Sequence, residues 1–399
     1  MQEKCGEKVN KNLICNKKTE RKKRIYKIVL VFDGGFDTIC IVCSDENTNY
    51  TNKLLTAGGF REYTSVKKSG QPAIQHASES GSSSAGTDDL ITVGFAQVGH
   101  ESDWRTASTE SAREVFSEEN GYQLSFIDCD NDSATQLEAV RGFIQQGVDY
   151  IIIDPIVSTG WDAVLTECDD AGIPVIVIDR TIDDSDKYVS WVGSDFKTEG
   201  LACGEWLKAY AEAKGITEIN ALVIEGSTGA SATIGRTEGF KEVADREGWT
   251  ILDSQNGDFT EAGGQEVMES YCQSYEGQFN VVICQNDNEA YGAMTAMDAA
   301  GVSYGVDGDV IIVSFDSNKP AVQHVLEGNM NATFECNPMA APFVEEVIQQ
   351  LEAGETPEKE IYMDESWFAA EDIVSSITVD GTEMPIIHVT QEVLDARPY

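Results

Sequence analysis

Carboxylates and guanidinium groups recur in this sequence just beyond short apolar runs. Glu101 stands with Trp104 and Arg105 in Glu101-Ser102-Asp103-Trp104-Arg105, and Asp179 is followed directly by Arg180. Further on, Thr228-Gly229-Ala230-Ser231 leads to Arg236, Asp258 precedes Phe259, and Asn286 precedes Asp287, with Asp316 and Glu335 beyond. Planar charged and amide groups that bond in pairs suit the vicinal hydroxyls of a sugar. Flat aromatic rings suit the apolar C–H faces of the same ligand. Plainer roles compete for each position. Asp179 and Arg180 could be a strand-end ion pair, Trp104 and Phe259 core residues, Arg236 a solvated helix charge, and Asp316 a helix cap.

Groupings for covalent or metal chemistry are missing. The four histidines, His76, His100, His324 and His388, stand in no HExxH and beside no paired Ser or Cys motif. The turn from Glu225 to Ser231 is Gly-rich but lacks the GK[ST] ending of a phosphate loop, and no GxGxxG follows a strand. A glycosidase carboxylate pair is the one enzymatic reading left. The residue types favour a binding protein, with no catalytic group, metal or cofactor expected.

What must position these side chains is a repeated alternation of strands and helices. Apolar runs at Ile91–Ala96, Gln123–Asp128, Tyr150–Asp154, Val175–Asp179 and Ser190–Gly193 read as strands. Helical spacing fills Thr106–Asn120, Ser133–Gln146, Gly160–Ala171 and Glu199–Lys214. The pattern begins again with strands at Ala221–Ile224, Thr250–Ser254, Val281–Cys284 and Val310–Ser314, separated by helices. Such alternation predicts an α/β protein of two doubly wound, Rossmann-like lobes with parallel sheets. A late helix at Met339–Ala353 and a last strand near Ile361–Met363 predict that the chain returns to the first lobe, which creates a hinge and a cleft. In open parallel sheets ligands bind beyond the carboxyl ends of the strands, and the residues named above lie there.

Charge divides the chain. Residues 1–87 hold 14 Lys/Arg and 9 Asp/Glu, which leaves 14 against 60 in residues 88–399 and a net charge of −41 overall. A body so acidic repels phosphate backbones, so no nucleic-acid partner is expected. Within 1–87, basic residues precede an apolar stretch at Ile28–Cys43 that Asp33 and Asp37 interrupt, an atypical export signal. Cys43 is a weak candidate for a lipid anchor, and the Ser/Gly-rich run at 77–86 reads as a tether. The six body cysteines are widely separated, which predicts buried free thiols.

From Ile91 to Pro342 the motifs resemble the type I periplasmic binding proteins, the ribose-binding group and its galactofuranose-binding members in particular. The carriers are Val98–Arg105, Pro155–Trp161, Ile173–Asp183, Thr228–Ser231 with Arg236, Gly257–Thr260, Asn286-Asp287, Ser314–Ser317 and Asn331–Glu335, in that order. The resemblance implies a monomeric, cofactor-free receptor outside the cytoplasm, soluble or lipid-tethered. It implies that a monosaccharide is delivered to the membrane permease of an ABC importer. It also implies three chain crossings near residues 195, 335 and 361. The lobes would then be 88–195 with 336–360, and 196–335 with 361–399. The ligand set carried over is Glu101, Trp104, Arg105, Asp179, Arg180, Arg236, Phe259, Asn286, Asp287, Asp316 and Glu335. A sugar-sensing receptor for a membrane partner is the neighbouring alternative. LacI-type regulators share the fold, but the basic start shows no helix–turn–helix pattern.

Overall fold

The computed structural model describes residues 51–56, 59–64 and 90–399. The chain separates into two units, Met1–Ser84 and Ala85–Tyr399. In the first, β1 (Thr51–Thr56) pairs antiparallel with β2 (Gly59–Thr64). The expected signal stretch, Cys43 and the Ser/Gly tether lie outside the described residues.

The second unit contains two sheets. The first is wholly parallel, in the order β13-β7-β6-β5-β3-β4. Its strands are β3 (Ile91–Gln97), β4 (Tyr122–Asp128), β5 (Tyr150–Ile153), β6 (Val175–Ile178), β7 (Ser190–Gly193) and β13 (Glu360–Tyr362). β5 and β6 are buried along their whole length, because helices cover both faces of the sheet. α1 (Asp103–Val115) and α9 (Ala341–Glu352) pack on one face, and α2 (Ser133–Gln146) and α3 (Asp162–Ala171) on the other.

The second sheet runs β15-β16-β14-β12-β11-β10-β8-β9. Its parallel part comprises β8 (Asn220–Glu225), β9 (Thr250–Asn256), β10 (Val281–Cys284), β11 (Ile311–Asp316) and β12 (Ala332–Glu335). α4 (Phe196–Lys214) and α5 (Ser231–Glu247) cover one face. α6 (Glu261–Ser274), α7 (Asp287–Ala300), α8 (Lys319–Glu327) and α10 (Gln391–Ala396) cover the other. Glycines set how closely α4 and α5 approach. A Cβ on Gly200 would lie 2.4 Å from the Arg236 carbonyl oxygen, and one on Gly239 would lie 2.3 Å from that of Lys197.

Three segments join the sheets: Ser194–Asp195 after β7, 336–340 after β12, and 363–366 after β13. The third falls later than 361, because Glu360–Tyr362 pairs in parallel with Trp191–Gly193 of the first sheet. The strand near Ile361–Met363 is also not the last. β14 (Trp367–Ala369) pairs antiparallel with β12, and β15 (Ser376–Val379) and β16 (Thr382–His388) extend the edge. Among the described residues no helix is long and apolar enough to cross a membrane. The six described cysteines are free thiols, five buried and Cys272 half-buried.

Candidate functional site

Strand register brings the site together. Ala96, Ile153 and Val177 stand in one row across β3, β5 and β6, so Gln97, Asp154 and Asp179 emerge at the same sheet edge. In the second sheet, Ile224 of β8 stands level with Cys284 at the end of β10, and β11 and β12 end together at Asp316 and Glu335. Side chains from the two carboxyl edges meet in a cleft between the sheets. Several strand-end residues there hold left-handed backbone without being glycine: Asp179 at φ +57°, Phe259 at φ +59° and Asp316 at φ +95°. Such conformations cost about 1–3 kcal/mol each and concentrate where a fold holds side chains for binding.

On the first lobe, Ser102 caps α1 by accepting from the Arg105 amide. Helix α1 therefore begins three residues earlier than the spacing suggested, and Trp104 and Arg105 occupy its first turn. Trp104 is buried, donates its indole N–H to the Cys336 carbonyl at 2.7 Å, and lies under the Arg105 guanidinium. Arg105 donates to Glu101 at 2.6 Å, to Asp179 at 2.7 Å and to Asp154. Arg180 donates Nη1 to the Ile156 carbonyl at 3.0 Å and holds Nη2 3.5 Å from Glu101, while its buried Nε makes no hydrogen bond and lies 4.0 Å from Asp179. Burial opposes ionisation of Glu101, but the charges of Arg105 and Arg180 outweigh it and hold the carboxyl below its ordinary range. Burial wins at Asp154 despite Arg105, and pushes that carboxyl well up.

On the second lobe, Arg236 donates to Glu199 at 2.6 Å, to Asp316 at 3.2 Å and to the Gln285 carbonyl. Burial raises Asp316 to about 6, with Arg236 partly offsetting it. Phe259 faces the Arg180 guanidinium across the cleft at 5.4 Å. Asn286 caps α7 through the Glu289 amide and donates to the Phe259 carbonyl, which fixes the aromatic turn. The lobes touch on both flanks of the cleft. The Asp103 amide donates to Asn288 at 3.1 Å, the Thr181 amide to Ser231 at 2.9 Å, and the Ser158 amide to the Gly229 carbonyl at 3.3 Å. The space left between the lining side chains is ≈ 20 Å³, about what one water requires.

Nine of the eleven residues singled out in the sequence line this cleft: Glu101, Trp104, Arg105, Asp179, Arg180, Arg236, Phe259, Asn286 and Asp316. The other two lie elsewhere. Asp287 is wholly buried behind the cleft, where its carboxylate accepts from Ser314, Thr333 and the Asn318 amide, so it anchors α7 to β11 and β12. Glu335 is held by Arg397 at 2.6 Å and Tyr399 at 2.5 Å. Ser102, Ala232 and Cys336 line the cleft without having been singled out. Asp154 and Glu199, which hold the two cleft arginines, were also missed. Asp154 had a signal, since it ends the third strand as Asp179 ends the fourth.

Comparison with known proteins gives a consistent picture. A family model described as a periplasmic binding protein domain matches residues 93–341. The galactofuranose-binding protein of Escherichia coli (strain K12) is 38% identical over 275 residues, 67% of this chain and 85% of that protein. A crystal structure from Mycobacterium smegmatis in complex with β-D-fucofuranose superposes with a TM-score of 0.67 at 41% identity, over 70% of this chain and 92% of that one. The binding protein of an arabinose ABC transporter from Shewanella sp. ANA-3, bound to α- and β-L-arabinofuranose, gives 0.66 at 36% identity, over 71% and 93%.

Proposed function

Since this chain belongs to the periplasmic binding protein family, we propose that it captures a monosaccharide of furanose or related aldose type and delivers it to an ABC importer outside the cytoplasm. The observation that carries this reading is the two-sided cleft. Arg105 and Arg180 with Glu101 and Asp179 face Arg236 with Asp316, and the indole of Trp104 and the ring of Phe259 come from opposite lobes. A sugar offers hydroxyls that donate to the carboxylates and accept from the guanidinium groups, and apolar faces for the two rings. The relatives at 36–41% identity are named for galactofuranose or hold fucofuranose and arabinofuranose, which favours a five-membered ring.

A ring of five or six atoms needs more than ≈ 20 Å³. Entry therefore requires the lobes to part at the three joining segments, and the ligand then selects the closed form. Nothing in this account requires turnover, a metal or a cofactor. A thermal-shift panel on the full chain tests it, with L-arabinose, D-fucose, D-galactose, ribose and fructose against amino acids and nucleotides. A ligand at 100 times its dissociation constant adds about 2.7 kcal/mol to the folded state, so at least one sugar raises the melting temperature with concentration. A panel in which only an amino acid or a nucleotide does so contradicts the sugar reading.

A further inference from the structure

Each of the three joining segments contributes a polar side chain to one cluster. Ser194 comes from the first, Cys336 from the second and Glu365 from the third, and Glu199 joins them from the first turn of α4. One carboxylate oxygen each of Glu199 and Glu365 and the Cys336 sulfur all lie within 4.8 Å of one another. The Ser194 hydroxyl is 3.5 Å from the Cys336 sulfur, and the Asn337 amide donates to Glu365 at 3.3 Å. Glu199 is fully buried. Its Oε2 takes the Arg236 Nε–H, and its Oε1 has no partner.

Charge in this cluster does not balance if every acid is ionised. Arg236 is the cation that faces Glu199 from α5, and it is shared with Asp316 at the end of β11. Asp179 at the end of β6 also faces Glu199 and adds negative potential. Glu365 faces Glu199, Glu335 of β12, the Ser194 hydroxyl and the Asn337 amide, with no cation of its own. Glu199 is fully buried and Glu365 half-buried, and two carboxylates this close disfavour ionisation of both at once. A groove of ≈ 390 Å³, lined by Asp195, Tyr362, Glu365 and Trp367 among others, connects Glu365 with solvent.

We propose that Glu199 and Glu365 share a proton across the hinge, and that closure of the lobes takes this proton up, so that ligand affinity falls as the medium becomes alkaline. The proposal rests on the hinge-closing reading above. Burial pushes both carboxyls up, Glu199 to about 8, and the charge of Glu199 raises Glu365 further. When the segments part, water reaches the buried Glu199 and surrounds Glu365 more fully, and both groups return towards the ordinary carboxylate range. The closed form therefore binds the proton that the open form releases. The resulting advantage is complete below that ordinary range and is lost as pH rises through the closed-state value. Within this window one linked proton raises the dissociation constant by up to about tenfold per pH unit.

Calorimetry of the full chain with whichever of L-arabinose, D-fucose or D-galactose binds, in buffers of different ionisation enthalpy from about pH 5.5 to about pH 8.5, reads the proton count directly. Asp316 in the cleft and Asp154 behind Arg105 also lie above their ordinary range. The decisive comparison is therefore Glu365→Gln, which should bind one proton fewer and show a flatter pH profile. Small-angle scattering of the ligand-free protein over the same range gives a second reading: the wild type contracts as pH falls, and Glu365→Gln does not. Sugar binding with equal proton uptake in both proteins overturns the proposal and leaves the receptor reading standing. Absence of any sugar binding overturns the receptor reading, and the scattering series then decides the hinge proton alone. A stoichiometric divalent metal in the purified protein overturns the proposal as well, since the metal would neutralise the cluster instead.

Discussion

Arg180 is buried among Glu101, Asp154 and Asp179, faces Phe259 of the other lobe, and has an Nε–H without a hydrogen-bond acceptor, 4.0 Å from Asp179. Arg180→Lys keeps the positive charge among these acids but loses the planar fork that a sugar diol requires. Losing one charged hydrogen bond of about 1.5–3 kcal/mol should weaken binding by roughly tenfold to a hundredfold, read by calorimetry. Asp287→Ala should behave in the opposite manner. It strands Ser314, Thr333 and the Asn318 amide, so the melting temperature falls by the equivalent of about 1–3 kcal/mol while sugar affinity of the folded protein changes little. An affinity loss in Asp287→Ala at unchanged melting temperature would return that residue to the ligand set. These two side chains show how far the sequence carried. Position after a strand end identifies residues at the cleft edge, such as Asp179 and Asp316, whereas Arg236 lines the cleft from within α5. The rule does not tell which way a side chain turns from the start of a helix, so Asp287, one residue past the cap, points into the lobe. Nor does it show Glu199, which lies inside α4 and reaches the site only because Gly200 and Gly239 let α4 and α5 nearly touch.

The α4–α5 contact makes its own prediction. Gly239→Ala would put a methyl 2.3 Å from the Lys197 carbonyl oxygen, forcing the helices apart and displacing Arg236. Overpacking of this kind costs about 1–3 kcal/mol, and a chemical-denaturation midpoint that does not fall would contradict it. The flanking contact between the Thr181 amide and Ser231 exists only with the lobes together. Ser231→Ala should therefore release ligand faster, by up to about tenfold, from a bond worth about 0.5–1.5 kcal/mol. An unchanged dissociation rate in stopped-flow fluorescence would show that this contact does not hold the closed form. The strands of both sheets were legible because buried parallel strands are continuous apolar runs, as in Val175–Ile178 and Val281–Cys284. The closing elements were not. β14 and β15 are three and four residues long, and β16 is largely exposed and carries Glu383 and Pro385, so none offers a periodic signal.

Within residues 90–399, two sheets face one another over a charged cleft and are joined by three short segments. The net charge of −41 keeps such a protein apart from its own copies and from anionic surfaces. The acids proposed to bind the sugar are a few withdrawn from that surface and paired with Arg105, Arg180 and Arg236. Because the proposed contacts come from both lobes, a sugar completes them only when the lobes meet. Small-angle scattering during a titration with the sugar that stabilises the fold tests this most directly. The radius of gyration should contract and saturate at one sugar per chain, at the concentration where calorimetry saturates. Saturable sugar binding with no change in the radius of gyration would contradict capture by closure.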